Sequence, residues 1–281
     1  SNPDQDRVRQ GLERDDLFTV VVDHVHTATT AYADIVLPGT VQTEHDDMHD
    51  SFSHLYLNWN NAAVAPAGAS LSHTEIFRRL AHAMGLDEPA LYESDDELAE
   101  ALLDSDHASV AGINLADLKR TGWARLGGTS PYLPFVEGFP TQSKKFEFAS
   151  TWGERQGVGR LPHYVPPLEA ASLGEGQLAL VSPANHHILN STFSGSSTHQ
   201  RAGSAVVLVH PDDAASMGLV DGDVVDVENG RGSFGATVEV STRARRGIAV
   251  TSKGLVGAES GVNATVAERD SDMGQGAVYH D

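Results

Sequence analysis

Cysteine is absent from this chain, which excludes disulfides, thiolate metal sites, a cysteine nucleophile and a cysteine-held iron–sulfur cluster within its 281 residues. Long apolar runs are also missing, and no stretch approaches the roughly 20 residues that a membrane-spanning helix needs. Basic residues are scarce, with 19 against 39 acidic residues and a formal net charge of -20. This charge disfavours nucleic acid and anionic membrane surfaces as partners.

Several short signals are missing as well. The first residues, SNPDQDRVRQGLERDD, contain neither the apolar core nor the twin arginines of an export signal. We therefore expect a cytoplasmic protein, and a signal upstream of Ser1 is the alternative that would make it periplasmic. Neither a Gly-x-Ser-x-Gly elbow nor a phosphate-cradling P-loop occurs. With 40% hydrophobic residues, the length is sufficient for about two domains.

Residues 1–120 have the pattern of part of an α/β domain. A mostly buried strand is predicted over residues 18–23, where apolar residues alternate along FTVVVD. A polar, histidine-rich loop is expected from Thr43 to His54. Helices are predicted at His73–Met84 and Asp95–Leu103.

The first of these helices has clear end signals. Ser72 is a natural N-cap with Glu75 three residues later, and Gly85 is expected to end the helix. The residues predicted to face inward are Ile76, Phe77, Leu80 and Met84 on the first helix, and Leu98, Ala99 and Leu102 on the second.

Residues 121–175 are rich in glycine and proline and are predicted to be a connector, with one short strand around residues 146–148. Residues 176–281 then change to short alternating strands separated by turn residues, which is typical of a small closed β-barrel. Within this part, His210 and Pro211 are predicted to open one helical turn that Gly218 ends. Tight turns are expected at Asp221-Gly222 and Asn229-Gly230.

Four segments, in order along the chain, resemble the molybdopterin oxidoreductases of the dimethyl sulfoxide reductase type. These are VVVDHVHTATTAYADIVLPGTVQTE at residues 20–44, SPANHHILNSTF at residues 182–193, the HPDDAASMGLVDGDVVDVENGRG stretch, and Gly261-Val262-Asn263 with the glycine-rich end of the chain. The resemblance implies an incomplete Rossmann-like α/β domain followed by a C-terminal double-psi β-barrel that binds molybdopterin dinucleotide.

The resemblance also implies a cofactor and a set of contacts. The cofactor is molybdenum bis(molybdopterin guanine dinucleotide), which supports two-electron and oxygen-atom transfer in the full enzyme. Neither a catalytic residue nor a metal ligand is predicted in this chain. The implied cofactor-binding residues are Ser182, His186, His187, Asn190, Ser191, Phe193, Asn263, Asp23, Thr27 and Glu44.

The implied partners lie mostly outside these residues. They are a missing N-terminal half of the same enzyme, which carries the metal ligand and in some family members an iron–sulfur cluster, and an electron-transfer subunit. The isolated chain is accordingly expected to be inactive. Neither nucleic acid nor a membrane span is expected.

The residues themselves support two interpretations of the first segment. Hydroxyls and a carboxylate beyond the carboxyl end of a strand are reasonable contacts for ribose or a guanine edge, which favours Asp23 and Thr27 as ligands. Alternatively, the threonines cap the following turn and Asp23 caps a helix. The segment from Ser182 to Phe193 supplies many neutral hydrogen-bonding groups, as a pterin and its pyrophosphate require.

Two further hypotheses remain. His24 and His26 on one strand face, with the acids and histidines from Glu44 to His54, could hold zinc in a mononuclear metallohydrolase. Alternatively, the chain could be a non-catalytic subunit that shares the fold and binds a nucleotide.

Overall fold

The computed structural model describes residues 2–128, 130–131, 133–167, 169–185, 189, 192, 205–254, 261–271 and 276. The chain divides into two compact units. One is Phe18–Gly138, and the other combines Ser1–Leu17 with Phe139–Asp281. The helix that opens the chain therefore belongs to the later unit, which its position in the sequence did not indicate.

The described elements follow in chain order. The helices are α1 (Gln5–Leu12), α2 (His73–Met84), α3 (Asp95–Leu103), α4 (Leu115–Thr121), α5 (Thr151–Arg155) and α6 (Pro211–Met217). The strands are β1 (Val20–Asp23), β2 (Ile35–Pro38), β3 (Asp47–His49), β4 (Tyr56–Asn60), β5 (Trp123–Arg125), β6 (Ala179–Val181), β7 (Val206–Val209), β8 (Val224–Glu228), β9 (Ser233–Val240) and β10 (Ile248–Thr251). Short 3₁₀ segments lie at Thr30–Tyr32, Gln42–Glu44, Pro89–Tyr92, Ala170–Ser172 and Val262–Ala264.

The unit Phe18–Gly138 contains a parallel pair, β1 with β2, and an antiparallel sheet in the order β3-β4-β5. The prediction of a mostly buried first strand is wrong. Phe18 precedes the strand and is 68% exposed, and Val20 is 48% exposed. The reason is that β1 pairs only with β2 in the described part of the chain, so part of its surface has no layer packed over it.

The histidine-rich segment from Thr43 to His54 was predicted to be a loop, and this is only partly correct. It contains β3, which pairs with β4 in the register Asp47↔Asn60 and Met48↔Trp59. Met48 packs against the core of this unit, so the pairing with β4 buries the one apolar residue of this strand.

Helices α2 and α3 lie at the predicted residues, and the predicted caps of α2 are confirmed. The Ser72 hydroxyl accepts from the Glu75 amide, and Gly85 adopts the left-handed conformation that ends α2. Ser94 and Glu97 form a reciprocal capping box at the start of α3.

The predicted inward faces are mostly wrong. On α2, Phe77, Leu80 and Met84 are exposed, and Ala81 is the buried residue. On α3, Ala99 is buried as predicted, but Leu103 takes the place expected for Leu98 and Leu102. Periodicity locates an apolar stripe, whereas the packing partner decides which part of the stripe is covered.

The core of this unit lies between β4, α3 and α4. Its buried members are Leu57, Trp59, Ala99, Leu103, Val110, Leu115 and Leu118. Leu118 is 1% exposed and is among the largest fully buried side chains. Lys119 places its ammonium over the Trp59 ring, 4.9 Å from the ring centroid.

The second unit contains a five-stranded mixed sheet in the order β6-β10-β7-β9-β8. The strand pairs β6/β10 and β7/β9 are parallel, whereas β10/β7 and β8/β9 are antiparallel. The core behind it is built from valines, alanines and one phenylalanine: Val207, Val209, Ala214, Phe234, Ala236, Val238, Ala249 and Val262. The predicted short strands of this part are confirmed among the described residues.

The predicted helical turn and tight turns of this unit are also confirmed. His210 caps α6 by accepting from the Asp212 amide, Pro211 is in its first turn, and Gly218 ends it in the left-handed conformation. The Asp221 carboxylate accepts from the Val240 amide, which ties the Asp221-Gly222 turn to the end of β9. Asn229 and Gly230 lie in the turn that joins β8 to β9.

The connector contains more structure than predicted, but not the predicted strand. Phe146 contacts Phe139 and Phe148 edge to face, and the described residues 146–148 are not in a strand. Aromatic clustering thus accounts for the apolar pattern there. In the described ranges of the chain, no helix has the length and apolarity needed to cross a bilayer.

Candidate functional site

The strand directions of the five-stranded sheet bring several loops to one edge. Because β6 and β10 are parallel, both carboxyl ends leave the sheet there. The amino ends of β7 and β9 lie at the same edge, since β7 runs antiparallel to β10 and parallel to β9. The β8–β9 turn, residues 229–232, also lies at this edge, because β8 ends where β9 begins. We call this set, residues 182–185, 251–254, 229–232 and 261–265, the upper edge.

Ser182 enters the upper edge directly after β6. The Lys253 amide, just beyond β10, donates to the Pro183 carbonyl over 3.1 Å, so the two strand ends remain joined past the sheet. Ser182 is half-buried, and its hydroxyl makes no hydrogen bond with a described residue. The Thr251 hydroxyl beside it is 1% exposed and also has no hydrogen-bond partner among the described residues. Buried polar groups without a partner are rare, so the Thr251 hydroxyl indicates unused hydrogen-bonding capacity at this edge.

Asn263 lies in the middle of the 3₁₀ turn Val262–Ala264. The turn is tightly held, because the Thr265 hydroxyl donates to the Val262 carbonyl over 2.7 Å and the Ala264 amide donates to Gly261. Val262 and Ala264 are buried. The Asn263 side chain is half-buried, and its amide makes no hydrogen bond with a described residue. A rigid turn thus carries an amide that remains available to a ligand.

The β8–β9 turn holds the Asn263 turn from outside. The Thr265 carbonyl accepts from the side-chain amide of Asn229 over 2.7 Å. It also accepts from Arg231 Nε and Nη2 over 3.3 and 3.2 Å. Arg231 Nη2 also donates to Glu169 Oε1 over 2.6 Å. Arg231 was not among the residues predicted from the sequence. The signal available was its place directly after the Asn229-Gly230 turn.

Five of the predicted contacts cannot be placed. His186, His187, Asn190, Ser191 and Phe193 lie outside the described residues. Their role in cofactor binding remains a prediction.

In the unit Phe18–Gly138, the structure brings Asp23 and Thr27 together at the carboxyl end of β1. Asp23 Oδ1 accepts from the His24 amide over 2.7 Å, and Asp23 Oδ2 accepts from the Thr27 hydroxyl over 3.3 Å. Thr30 closes the turn, since its hydroxyl donates to the Thr27 carbonyl over 2.7 Å. These contacts agree with the turn-capping interpretation of the threonines, and ligand contacts of Asp23 and Thr27 remain a prediction.

Glu44 has a defined local role. Its two carboxylate oxygens accept from the Val41 amide over 2.9 Å and from the Ala67 amide over 3.0 Å. The side chain is half-buried and joins two loop segments. Glu44 therefore supports the loop after β2, and its contact with a cofactor remains a prediction.

The described residues do not form the metal site that the metallohydrolase hypothesis requires. Among the described residues, no three His, Cys, Asp or Glu side chains are placed to hold a metal ion. His24 lies beyond the end of β1, so the premise that His24 and His26 share a strand face is wrong. His45 and His54 are used locally, His45 with the Thr40 hydroxyl at 2.9 Å and His54 as acceptor for the Tyr56 amide.

Three carboxylates with lowered pKa values lie in helices of the unit Phe18–Gly138. Arg79 lowers the pKa of Glu75, the Ser94 amide and hydroxyl lower the pKa of Glu97, and Arg120 lowers the pKa of Asp117. Each of these acids lies in the first turn of its helix, where a negative charge also interacts favourably with the helix dipole. They are structural charges.

Comparison with known proteins agrees with this arrangement. The family model "Molydopterin dinucleotide binding domain" matches residues 178–281, which include the five-stranded sheet and its upper edge. The model "Molybdopterin oxidoreductase" matches residues 1–83. The two matches together cover most of the chain, in the order that the sequence segments indicated.

Individual relatives support the same family. The probable oxidoreductase YoaE of Bacillus subtilis is 38% identical over 99% of this chain, which corresponds to 41% of its own length. The biotin sulfoxide reductase of Cereibacter sphaeroides is 29% identical over 93% of this chain and 39% of its own length. The chain thus spans about two fifths of the length of these relatives.

A solved structure shows the fold. The acetylene hydratase from Pelobacter acetylenicus superimposes with a TM-score of 0.70 over 90% of this chain and 35% of its own, at 24% sequence identity. Together with this fold, the two family matches define the class of protein, which is the molybdopterin-dependent oxidoreductases. The chain belongs to the molybdopterin oxidoreductases, and its C-terminal part is a molybdopterin dinucleotide-binding domain.

Proposed function

We propose that this chain is the C-terminal portion of a longer molybdenum enzyme and that its upper edge binds molybdopterin guanine dinucleotide. The observation that carries the proposal is that Ser182, after β6, and Asn263, beside the β8–β9 turn, lie at the same edge of the sheet matched by the dinucleotide-binding model. Both side chains have hydrogen-bonding capacity that the described residues leave unused. When bound, the cofactor supplies two-electron and oxygen-atom transfer, and the protein supplies binding and orientation.

The residues present fit this group. A pterin and its pyrophosphate offer many acceptors and donors, and an amide and a hydroxyl can satisfy either kind. The Thr251 hydroxyl adds an orphaned polar atom to the same edge. The Asn263 side chain extends from a turn whose backbone is already hydrogen-bonded, so little backbone entropy is lost when it binds a ligand.

The finer architecture belongs to the same proposal. We infer that the five-stranded sheet is part of a double-psi β-barrel, supported by its mixed strand directions and the confirmed strand, short helix, turn and strand order. We infer that β1 and β2 belong to a larger Rossmann-like sheet. Parallel strands are normally covered on both faces, and here Val20, Ile35 and Val36 are exposed.

A longer enzyme would also provide what this chain lacks. We infer a preceding region that carries the molybdenum ligand, an iron–sulfur cluster within that region, and an electron-transfer subunit as partner. The support is the coverage of about two fifths of the relatives' length. The cysteine ligands of such a cluster would lie outside these 281 residues, which contain no cysteine. A cytoplasmic location is part of the same proposal.

The substitution Asn263→Leu tests the cofactor site. It removes the amide at nearly constant volume, so we expect the molybdenum content of the purified full-length enzyme to fall while its thermal midpoint changes little. Asn58→Leu is the matched control, because Asn58 is also half-buried and its side chain makes no hydrogen bond with a described residue. Normal molybdenum content in Asn263→Leu would contradict the assignment.

A further inference from the structure

Three separate chain segments converge beside Asn263. They are the end of the connector at Glu169, the β8–β9 turn at Arg231, and the closing segment at Thr265. The Arg231 side chain is 31% exposed and that of Glu169 is 36% exposed, so solvent only partly screens their 2.6 Å ion pair. Thr265 is buried. The three segments therefore meet in a partly desolvated contact.

Arginine suits this contact better than lysine. Its planar guanidinium donates from Nε and Nη2 to one carbonyl, and Nη2 also reaches a carboxylate. A lysine ammonium is a compact charge and lacks the planar, fixed arrangement of N–H donors that a guanidinium has. Arg231 thus holds the Thr265 carbonyl and is itself oriented by Glu169.

The held carbonyl belongs to the segment that carries Asn263. The Asn263 backbone is fixed between Gly261 and Thr265, and the Arg231 contact ties the end of this segment to the sheet through the β8–β9 turn. The side-chain amide of Asn229 donates to the same carbonyl. Two side chains of the β8–β9 hairpin therefore hold the end of the Asn263 turn.

We propose that Arg231, oriented by Glu169, is a positioning residue that fixes Asn263 for contact with the dinucleotide. This inference rests on the proposed function of the upper edge. Arg231 acts through the Thr265 carbonyl and does not itself touch the ligand. Its loss leaves the fold of the sheet intact and loosens the turn that presents the amide.

The experiment compares Arg231→Gln, Arg231→Lys and Glu169→Gln in the full-length enzyme purified with its cofactor. The readouts are the rate at which molybdenum and pterin are lost during dilution and the thermal midpoint of the cofactor-free protein. Arg243→Gln is the control, because Arg243 is an exposed arginine paired with Glu239 in the same unit.

We expect Arg231→Gln to lose cofactor about 10-fold faster than the wild type, by analogy with the effect of removing groups that orient a binding residue. Arg231→Lys should not restore retention, and Glu169→Gln should be intermediate. The thermal midpoints of the cofactor-free variants should match that of Arg243→Gln. Wild-type retention in Arg231→Gln, or a loss that only follows a lower midpoint, would overturn the positioning role. If Asn263→Leu also retains cofactor normally, the proposed site itself fails.

Discussion

The substitution Gly232→Ala should separate the β8–β9 turn from the Asn263 turn. A Cβ at residue 232 would lie 2.7 Å from Asp6 Oδ2, 2.9 Å from the Ala264 carbonyl oxygen and 3.2 Å from Ala264 Cβ. The Asp6 carboxylate can move away at little cost because it ends a side chain. The Ala264 carbonyl cannot, because it belongs to the buried 3₁₀ turn.

The magnitude follows from two opposing effects. Forcing a methyl group into a packed contact costs about 1–3 kcal/mol. The lower entropy of alanine in the unfolded chain offsets about 0.4–1 kcal/mol of this. We therefore expect a net destabilisation of about 1–2 kcal/mol in the unit that contains the five-stranded sheet.

Gly230→Ala is the matched control in the same turn, since a Cβ there meets nothing within 4 Å. Its stability should stay within about 0.5 kcal/mol of the wild type. Urea unfolding can be followed by fluorine NMR of fluorotryptophan-labelled chain, because Trp152 lies in the affected unit and Trp59 and Trp123 lie in the other. Equal midpoints for the two variants at the Trp152 signal would refute the argument.

Two further predictions concern the unit Phe18–Gly138. Leu118→Ala should destabilise it by about 2–5 kcal/mol, because Leu118 is fully buried between α4 and β4, and a change under 1 kcal/mol in urea unfolding would contradict this. Carboxyl NMR titration should place the pKa of Glu97 below that of an ordinary glutamate, because the Ser94 amide and hydroxyl stabilise its charged form. Its contribution to stability should be present above the unfolded pKa and be lost as pH falls through the lowered value, and Glu97→Gln should abolish this pH dependence.

Local signals were sufficient for much of the secondary structure. Ser72, Glu75 and Gly85 predicted both ends of α2, because capping depends on residues within one turn of the helix end. The Pro211 start and Gly218 end of α6 were predictable for the same reason. The order of weak motifs also indicated the family that the comparisons show.

Burial was not predictable to the same degree. Phe77, Leu80 and Met84 form the apolar stripe that periodicity indicates, yet they are exposed, while Ala81 is buried. Strand β3 was not predicted, because two of its three residues, Asp47 and His49, are polar and aspartate has low strand propensity. Its pairing with β4 overrides that preference. Both cases depend on which neighbour packs against a segment, which a local pattern does not contain.

In the candidate site, too, some features were predictable from the sequence and others required the tertiary structure. The family resemblance pointed to Ser182 and Asn263 as cofactor contacts, and the residue types of the segment from Ser182 to Phe193 indicated neutral hydrogen-bonding groups suited to a dinucleotide. The meeting of Glu169, Arg231 and Thr265 required the tertiary structure, because these residues are far apart in the chain and their contact depends on the strand order β6-β10-β7-β9-β8. The sequence by itself determined the turns, caps and chemical character of the upper edge. Only long-range strand pairing decided which loops share that edge, since the direction of each strand sets the end at which its loop emerges.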